Sequence, residues 1–137
     1  MCATDTHLPF EIEITIAPED IDQLGRVNNV VYLRWVQDVA VAHWSAVATE
    51  KEKQSLFWVV VKHEIEYKRP ALEKDTIIAR TWVGEASRRA FEQHSELLRR
   101  SDRKLLAKAL TLWCPMDSET RKPAEVAPDV LKRFSCP

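Results

Sequence analysis

The segment at residues 20–48 constrains the fold more than any other part of this sequence, because an acidic, glycine-bearing loop leads directly into a long apolar run. From residue 30 onward polar side chains are few, and four of them fall on one helical face: Arg34, Gln37, Asp38 and Ser45. A helix that is apolar on most sides has to be buried on most sides, and the run lacks the roughly 18 consecutive apolar residues that suit a bilayer. The sequence therefore predicts a long helix at residues 30–48 that the rest of the protein wraps.

The start of this helix is a candidate reactive site. Asn28 or Asn29 can cap the helix through a side-chain oxygen, and Gly25 allows a sharp turn before it. Asp22 then lies just ahead of exposed backbone N–H groups and the positive end of the helix dipole, which can hold an anion or a developing oxyanion. A carboxylate beside an oxyanion site is a hydrolytic arrangement. On spacing alone, however, Asp20 and Asp22 are more often loop and capping acids, which is the commoner role of Asp at such positions.

Length and charge narrow the class of protein. The chain has 137 residues, 45% hydrophobic and 30% charged, which predicts a single domain at residues 1–137 with a substantial core. Its formal net charge of −1 predicts no general attraction to nucleic acid or to an anionic membrane. Residues 1–9 include Asp5 and His7 and no apolar stretch, so we expect neither a signal peptide nor an anchor, and a cytoplasmic location.

Several kinds of site are absent from the sequence pattern. The cysteines are odd in number and lack CxxC spacing, which predicts free thiols at Cys2, Cys114 and Cys136. The four histidines lie in separate elements, so we expect neither a metal site nor a cofactor. With only Gly25 and Gly84, the chain has no dinucleotide-binding loop, Walker loop or nucleophile elbow.

The remaining segments favour β-structure. Alternation and β-branched content predict strands at residues 10–16, 56–67, 76–85, 90–98 and 105–114, and a final helical turn at residues 129–134. The polar run at residues 49–55 is interpreted as a solvated connection. One strand, a long helix and four further strands of about ten residues predict an α+β fold whose antiparallel sheet curls around the helix.

The strand at residues 56–67 is apolar on both faces in its first half. Regular alternation would place His63 with the core-facing residues and Trp58 with Val60 on the opposite face. Apolar residues on an outer face indicate further burial, which we expect against another subunit. A histidine in the position of His63 is more often a hydrogen-bonded core residue than a catalyst.

The stretch DIDQLGRVNNVVYLRWVQD at residues 20–38 resembles the signature of the hotdog-fold acyl-CoA thioesterases, the 4-hydroxybenzoyl-CoA thioesterase-like family. That family pairs a D-x-D-x-x-G-x-V-N-N-x-x-Y loop with a central helix. HEIEYKRPA at residues 63–71 and TLWCPMDSETRKP at residues 111–123 resemble the family at matching places. The resemblance covers nearly the whole chain and implies a hotdog fold, in which a curved antiparallel sheet of about five strands wraps a long central helix.

This resemblance also implies an activity, the hydrolysis of an acyl thioester to free acid and CoA without a metal. Asp22 corresponds to the catalytic carboxylate, which either attacks the carbonyl or takes a proton from water, and the backbone N–H near Asn29 to the donor that polarises the thioester carbonyl. Gly25, Arg26 and Asn28 are expected around the substrate. Similar proteins often have His where Arg26 stands, so Arg26 either binds an anionic group or caps the loop.

Further residues and partners follow from the same resemblance. The candidates for the acyl pocket, or alternatively for core positions, are Tyr32, Trp58 and His63. The candidates for coenzyme A contact, or alternatively for an exposed charged loop, are Ser87, Arg88 and Arg89, since paired guanidinium groups suit phosphates. The substrate would be acyl-CoA or an acyl carrier protein thioester, and the protein a homodimer, or a dimer of dimers, with a shared active site.

Two other functions fit the same sequence. A hotdog dehydratase of hydroxyacyl thioesters is disfavoured because the acid lies in a thioesterase-like loop and no suitable His accompanies it. A non-catalytic hotdog module would bind acyl-CoA or a protein partner without turnover.

Overall fold

The computed structural model describes residues 9–134, whose strands form one antiparallel sheet of order β1-β3-β4-β5-β2. The strands are β1 (Phe10–Thr15), β2 (Leu56–Tyr67), β3 (Thr76–Ser87), β4 (Ala90–Arg99) and β5 (Leu105–Asp117). The α-helices are α1 (Asn29–Val47), α2 (Glu50–Ser55) and α3 (Pro128–Phe134), and a 3₁₀ turn covers Pro18–Asp20. The predicted α+β architecture is confirmed.

The concave face of the sheet packs on one side of α1. Trp35, Val36 and Val39 are almost fully buried there, against apolar residues of β3, β4 and β5 such as Ile77, Leu97 and Leu106. Complete burial of an apolar side chain of this size contributes about 1.5–3 kcal/mol. This face of the helix therefore anchors the fold.

Within residues 9–134 the opposite side of α1 is not wrapped, contrary to the expectation from its apolar composition. Val30 is 70% exposed and Val41 is 56% exposed, because the five strands of a single chain cover only one side of the helix. The uncovered side of α1 therefore presents large apolar side chains to solvent.

The two ends of α1 are fixed by different groups. Asn28 is the N-cap, and its Oδ1 accepts a hydrogen bond from the backbone N–H of Val30 at 3.1 Å. At the other end the guanidinium of Arg133 in α3 donates to the carbonyl of Val47 at 3.0 Å and pairs with Glu52. Of the two predicted capping residues, Asn28 is the one the structure uses.

The solvated connection predicted after α1 is a short helix that has no buried residue. Thr49 Oγ1 accepts from the N–H of Glu52 at 3.2 Å, and Glu52 Oε1 accepts from the N–H of Thr49 at 2.9 Å. This reciprocal capping box stabilises the first turn of α2. The T-x-x-E pattern that produces it is present in the sequence.

A β-bulge at Val61 corrects the predicted faces of β2. Val60 pairs with Trp113 and Lys62 with Leu112, so Val61 has no partner on β5 and the alternation shifts by one residue. Trp58 and Val60 consequently face the core beside Phe91 and Trp113, and were wrongly placed on the outer face. The apolar residues that do face solvent are Val59 and Val61, at 41% and 65% exposure.

Some sequence expectations concern residues that the structure does not describe. Cys114 is a free thiol, whereas Cys2, Cys136 and the segment with Asp5 and His7 lie outside residues 9–134. No helix within residues 9–134 has both the length and the hydropathy to cross a membrane.

Candidate active site

The loop that precedes α1 is closed by its own hydrogen bonds. The N–H of Asp22 donates to the carbonyl of Arg26 at 2.7 Å, and the N–H of Gly25 donates to the carbonyl of Asp22 at 3.1 Å. Gly25 has φ of 80°, a left-handed conformation that residues with a Cβ rarely adopt. The sharp turn expected at Gly25 is confirmed.

The carboxylate of Asp22 has one engaged oxygen and one open oxygen. Oδ1 accepts from the N–H groups of Leu24 at 2.9 Å and Arg26 at 3.1 Å. Oδ2 has no hydrogen-bond partner among the described residues, and the side chain is half-buried. The loop therefore fixes the orientation of the carboxylate and leaves one oxygen available to react.

The first turn of α1 presents an open backbone donor. The N–H of Val30 is satisfied by the side chain of Asn28, and that of Val31 by the carbonyl of Asn28 at 2.9 Å. The N–H of Asn29 has no acceptor among residues 9–134. It lies at the positive end of the helix dipole, where a developing negative charge is favoured.

Asp22 and Asn29 line the same cavity, of about 440 Å³. The cavity also contains other residues of the loop and the following helix, and a segment at the end of β2: Arg26, Val27, Asn28, Tyr32, Tyr67, Lys68, Arg69 and Pro70. Of the residues predicted for the substrate site, Arg26, Asn28 and Tyr32 are thus brought together with Asp22 and Asn29. Gly25 shapes the loop and does not line the cavity.

Two tyrosines form part of the cavity wall. The Tyr32 hydroxyl accepts from the N–H of Ala71 at 2.8 Å, and burial raises the pKa of this phenol, which keeps it neutral. Tyr67 donates to the carbonyl of Asn29 at 3.1 Å, and its ring meets that of Tyr32 edge-on at 5.2 Å. Tyr67 was not singled out from the sequence, although it lies in the HEIEYKRPA segment.

Three cationic side chains line the cavity of Asp22: Arg26, Lys68 and Arg69. Lys68 is 3.8 Å from Glu66, Arg69 donates to the carbonyl of Leu105 at 3.0 Å, and Arg26 has no ion-pair partner within the described chain. Lys68 and Arg69 were missed in the sequence because they follow a strand more than 40 residues from Asp22. Within the part of the chain that the structure describes, no three His, Cys, Asp or Glu side chains are grouped so as to hold a metal ion.

Trp58 and His63 lie away from Asp22. Trp58 lines a second cavity, of about 230 Å³, beside the C-terminal half of α1. His63 lines neither cavity, and its Nδ1 is 2.9 Å from the hydroxyl of Thr111. His63 is therefore half-buried and hydrogen-bonded, and it does not line the cavity of Asp22.

The turn with Ser87, Arg88 and Arg89 lies at the far end of β3 from the Asp22 loop. The loop contacts Leu72, just before β3, whereas the arginines follow Ser87 at its end, roughly 35 Å away along the strand. Arg89 donates to Glu125 from Nε at 3.1 Å and from the Nη2 atom at 3.0 Å, and Arg88 lies 3.8 Å from the same carboxylate. The arginines of one chain are therefore distant from Asp22 of that chain.

The fold and the loop carboxylate together define a hotdog protein of the thioesterase type. The model of the Thioesterase-like superfamily matches residues 16–134, and the chain belongs to that superfamily. The family predicted from the loop motif is confirmed.

Solved structures share the fold at low sequence identity. A 1,4-dihydroxy-2-naphthoyl-CoA thioesterase from Synechocystis is 19% identical, with a TM-score of 0.77 over 92% of this chain and 95% of that one. A thioesterase from Thermus thermophilus, complexed with coenzyme A and Zn, is 20% identical, with a TM-score of 0.79 over 93% of this chain and 97% of that one. These similarities confirm the predicted hotdog fold.

One curated relative is similar in sequence. A chloroplastic acyl-[acyl-carrier-protein] hydrolase from Cuphea viscosissima is 30% identical over 86 residues, which are 60% of this chain and 21% of that protein. The chain thus spans about one fifth of the length of that relative.

Proposed function

We propose that this protein hydrolyses acyl thioesters, with Asp22 as the base or nucleophile and the backbone N–H of Asn29 as the oxyanion donor. The proposal rests on one observation: Asp22 has an open carboxylate oxygen, Asn29 has an open N–H at the helix terminus, and both residues line one cavity. The arrangement supplies both functions that acyl transfer needs, a group that supplies or activates the nucleophile and a donor at the developing negative charge.

The chemistry balances by either of two routes. In one, Asp22 takes a proton from water as the water oxygen attacks the thioester carbonyl, and the resulting oxyanion collapses to expel the thiolate, which takes up the proton. In the other, Asp22 attacks the carbonyl itself, expels the thiolate, and the mixed anhydride is then hydrolysed by water. The Asn29 N–H stabilises the oxyanion in both routes.

The cations around the cavity support an anionic thiol carrier as the leaving group. Arg26 has no carboxylate partner among the described residues, and Lys68 and Arg69 lie beside it. Guanidinium and ammonium groups suit the phosphates of coenzyme A or of the phosphopantetheine arm of an acyl carrier protein. The Thermus thermophilus relative that was solved with coenzyme A agrees with a CoA thioester as substrate.

A homodimer is proposed on the free edge of β2. This edge strand presents the exposed Val59 and Val61, and an open edge of twelve residues favours pairing with a second copy. Antiparallel pairing would bring the far end of one protomer close to the Asp22 cavity of the other. Arg88 and Arg89 could then contact the coenzyme of the neighbouring site, and a dimer of dimers is an extension of this proposal.

Thiol release from a panel of acyl-CoA and acyl carrier protein thioesters tests the function. We expect release of thiol and free acid with the wild-type protein, and binding without release with Asp22→Asn. Dehydration of hydroxyacyl-CoA without thiol release would instead identify a dehydratase. Tight binding of acyl-CoA by the wild type with no turnover of any thioester would identify a binding module.

A further inference from the structure

The second cavity, of about 230 Å³, is separate from the one that holds Asp22. The two cavities share no lining residue, and Asn29 and His43 in their walls are separated by roughly 21 Å of helix. The proposed hydrolysis uses none of the residues of the second cavity.

Half of the residues in its wall are Trp or Phe: Trp44, Phe57, Trp58, Phe91, Trp113 and Phe134. Trp58 lies 5.3 Å from Trp44 and 4.7 Å from Phe91, centroid to centroid, in tilted or edge-on contacts. A further aromatic ring that enters this cavity can therefore contact both the faces and the edges of these rings. Since an apolar cavity of about 150 Å³ accommodates benzene, this cavity has room for one ring or two fused rings.

One polar group in this wall has a fixed orientation. Gln93 Nε2 donates to the hydroxyl of Thr81 at 2.8 Å, and this hydroxyl in turn donates to the carbonyl of His94 at 2.7 Å. The second N–H of Gln93 therefore points to Nδ1 of His43, 3.3 Å away. Nδ1 of His43 must be an acceptor, so the ring proton of the neutral imidazole is on Nε2.

The environment keeps His43 neutral. Burial lowers the pKa of His43 to about 4, and the ring is stacked on Phe10 at 5.2 Å and meets Phe134 edge-on at 5.1 Å. The N–H on Nε2 has no acceptor among residues 9–134. Because His43 lines the aromatic cavity, this open ring donor is an expected binding element for a ligand oxygen.

Two more donors in the same wall lack acceptors. The indole N–H groups of Trp58 and Trp113 are buried without a hydrogen-bond partner in the described chain. Unpaired buried donors cost free energy and are rare in native proteins. Neither indole nitrogen has accessible surface in the cavity, so these two N–H groups are a cost of the ring packing and do not contribute to binding.

We infer that this cavity binds a flat aromatic molecule of one or two fused rings that carries an oxygen acceptor, and that His43 donates a hydrogen bond to this oxygen. Gln93 and Thr81 position the imidazole for that contact. Val41, on the exposed side of α1, lies at the cavity mouth. The ring belongs either to a free molecule or, across the proposed dimer, to an acyl group whose thioester lies at Asp22 of the second copy, because the two cavities of one chain are too far apart for one acyl group.

Equilibrium dialysis with 2-naphthol and naphthalene tests the chemistry of the site without any enzymatic turnover. We expect His43→Phe to weaken 2-naphthol binding about three- to tenfold more than naphthalene binding, as the loss of one hydrogen bond requires. His43→Gln, which retains a donor, should restore most of the preference. His94→Phe, on the other face of the sheet, should change neither affinity.

The position of the site is tested with two exposed residues of α1. Val41→Trp should close the mouth and weaken 2-naphthol binding at least about tenfold, whereas Ser45→Trp, which does not line the cavity, should leave it unchanged. Equal binding by the two variants, or no saturable binding of either probe by the wild type, would overturn the inference. Loss of both ligands to the same extent in His43→Phe would overturn the role of His43.

Steady-state kinetics separate the two sources of the ring. If the ring belongs to an acyl group, 2-naphthol should inhibit hydrolysis of an aromatic acyl-CoA competitively, and Val41→Trp should lower kcat/KM for that substrate. If the ligand is a free molecule, hydrolysis should be insensitive to both. Because dialysis measures binding directly, it supports or refutes the binding site whether or not the protein hydrolyses thioesters.

Discussion

The carboxylate of Asp20 lies 3.0 Å from the guanidinium of Arg34 and is only 3% exposed. Asp20 also accepts the N–H of Ala17 at 3.1 Å, whereas Asp22, two residues later, has an open oxygen. We expect Asp20→Asn to destabilise the protein by about 1–3 kcal/mol, because it weakens a buried network, and to leave turnover of the folded enzyme within a few-fold of the wild type.

Asp22→Asn should retain stability and lose activity, the opposite of the result expected for Asp20→Asn. The amide oxygen can still accept from Leu24 and Arg26, so the loop and the melting temperature should be retained. Turnover should fall on the order of a hundredfold or more, since the negative charge is lost. Thermal unfolding and single-turnover kinetics on both variants check this contrast. If both variants lose the same amount of activity and both melt at a lower temperature, Asp20 and Asp22 have structural roles only.

Replacement of Asn29 by Pro should remove the oxyanion donor and preserve the helix. Asn29 is the first residue of α1, where Pro is well tolerated, and Asn28 has φ −62° and ψ 137°, which suit a residue before Pro. We expect kcat to fall about 10²- to 10³-fold with little change in helical circular dichroism. Asn29→Ala, which keeps the N–H, is the matched control and should stay near wild-type activity.

The double variant Arg88→Ala/Arg89→Ala tests contact with the coenzyme. If these arginines bind phosphates, KM for acyl-CoA should rise far more than kcat falls, and the wild-type KM should rise with salt. Arg100→Ala/Arg103→Ala removes two exposed arginines paired with Glu13 and Glu11 and serves as the charge-matched control. If the two double variants have the same kinetics, Arg88 and Arg89 do not bind the coenzyme and only pair with Glu125.

The edge of β2 is tested with Val59→Lys/Val61→Lys. Two ammonium groups on an edge strand oppose its pairing with a second copy, so light scattering at micromolar concentration should shift from dimer to monomer. Thr15→Lys, on the β1 edge, should remain dimeric. A wild-type protein that is already a stable monomer would contradict the proposed dimer.

The titration of His43 should appear in the stability of the protein. Its pKa is lowered by burial to about 4, whereas an unfolded histidine titrates near 6.5, so the unfolded state binds more protons between these values. The free energy of unfolding should therefore be fully retained above pH 6.5 and decrease as the pH falls toward 4, by up to about 3 kcal/mol from this group. Denaturant unfolding of the wild type and His43→Gln should show a smaller decrease in the variant.

Local patterns were sufficient to predict much of this structure. Alternation located the strands, the apolar run located α1, and the residue types at Gly25 and Asn28 predicted their turn and cap. The capping box of Thr49 and Glu52 is also local, and α2 could have been predicted from it.

Other features depend on contacts between distant segments. Asp20 and Asp22 have the same side chain two residues apart, but the distant Arg34 pairs with the buried Asp20, whereas Asp22 keeps an open oxygen. Tyr67, Lys68 and Arg69 join the Asp22 cavity through the fold. The second cavity combines residues of six elements, and no single segment carries its pattern.

The bulge at Val61 also affects how this chain is aligned with its relatives and engineered. One extra residue lets the first half of β2 face the aromatic cluster with Trp58 while the second half turns Ile65 and Tyr67 toward the same side. Deletion of that residue would force one half of the strand to turn inside out, so length changes here are far more costly than in a surface loop. A gap-free alignment of β2 with an unbulged strand would exchange the inward and outward residues of half its length.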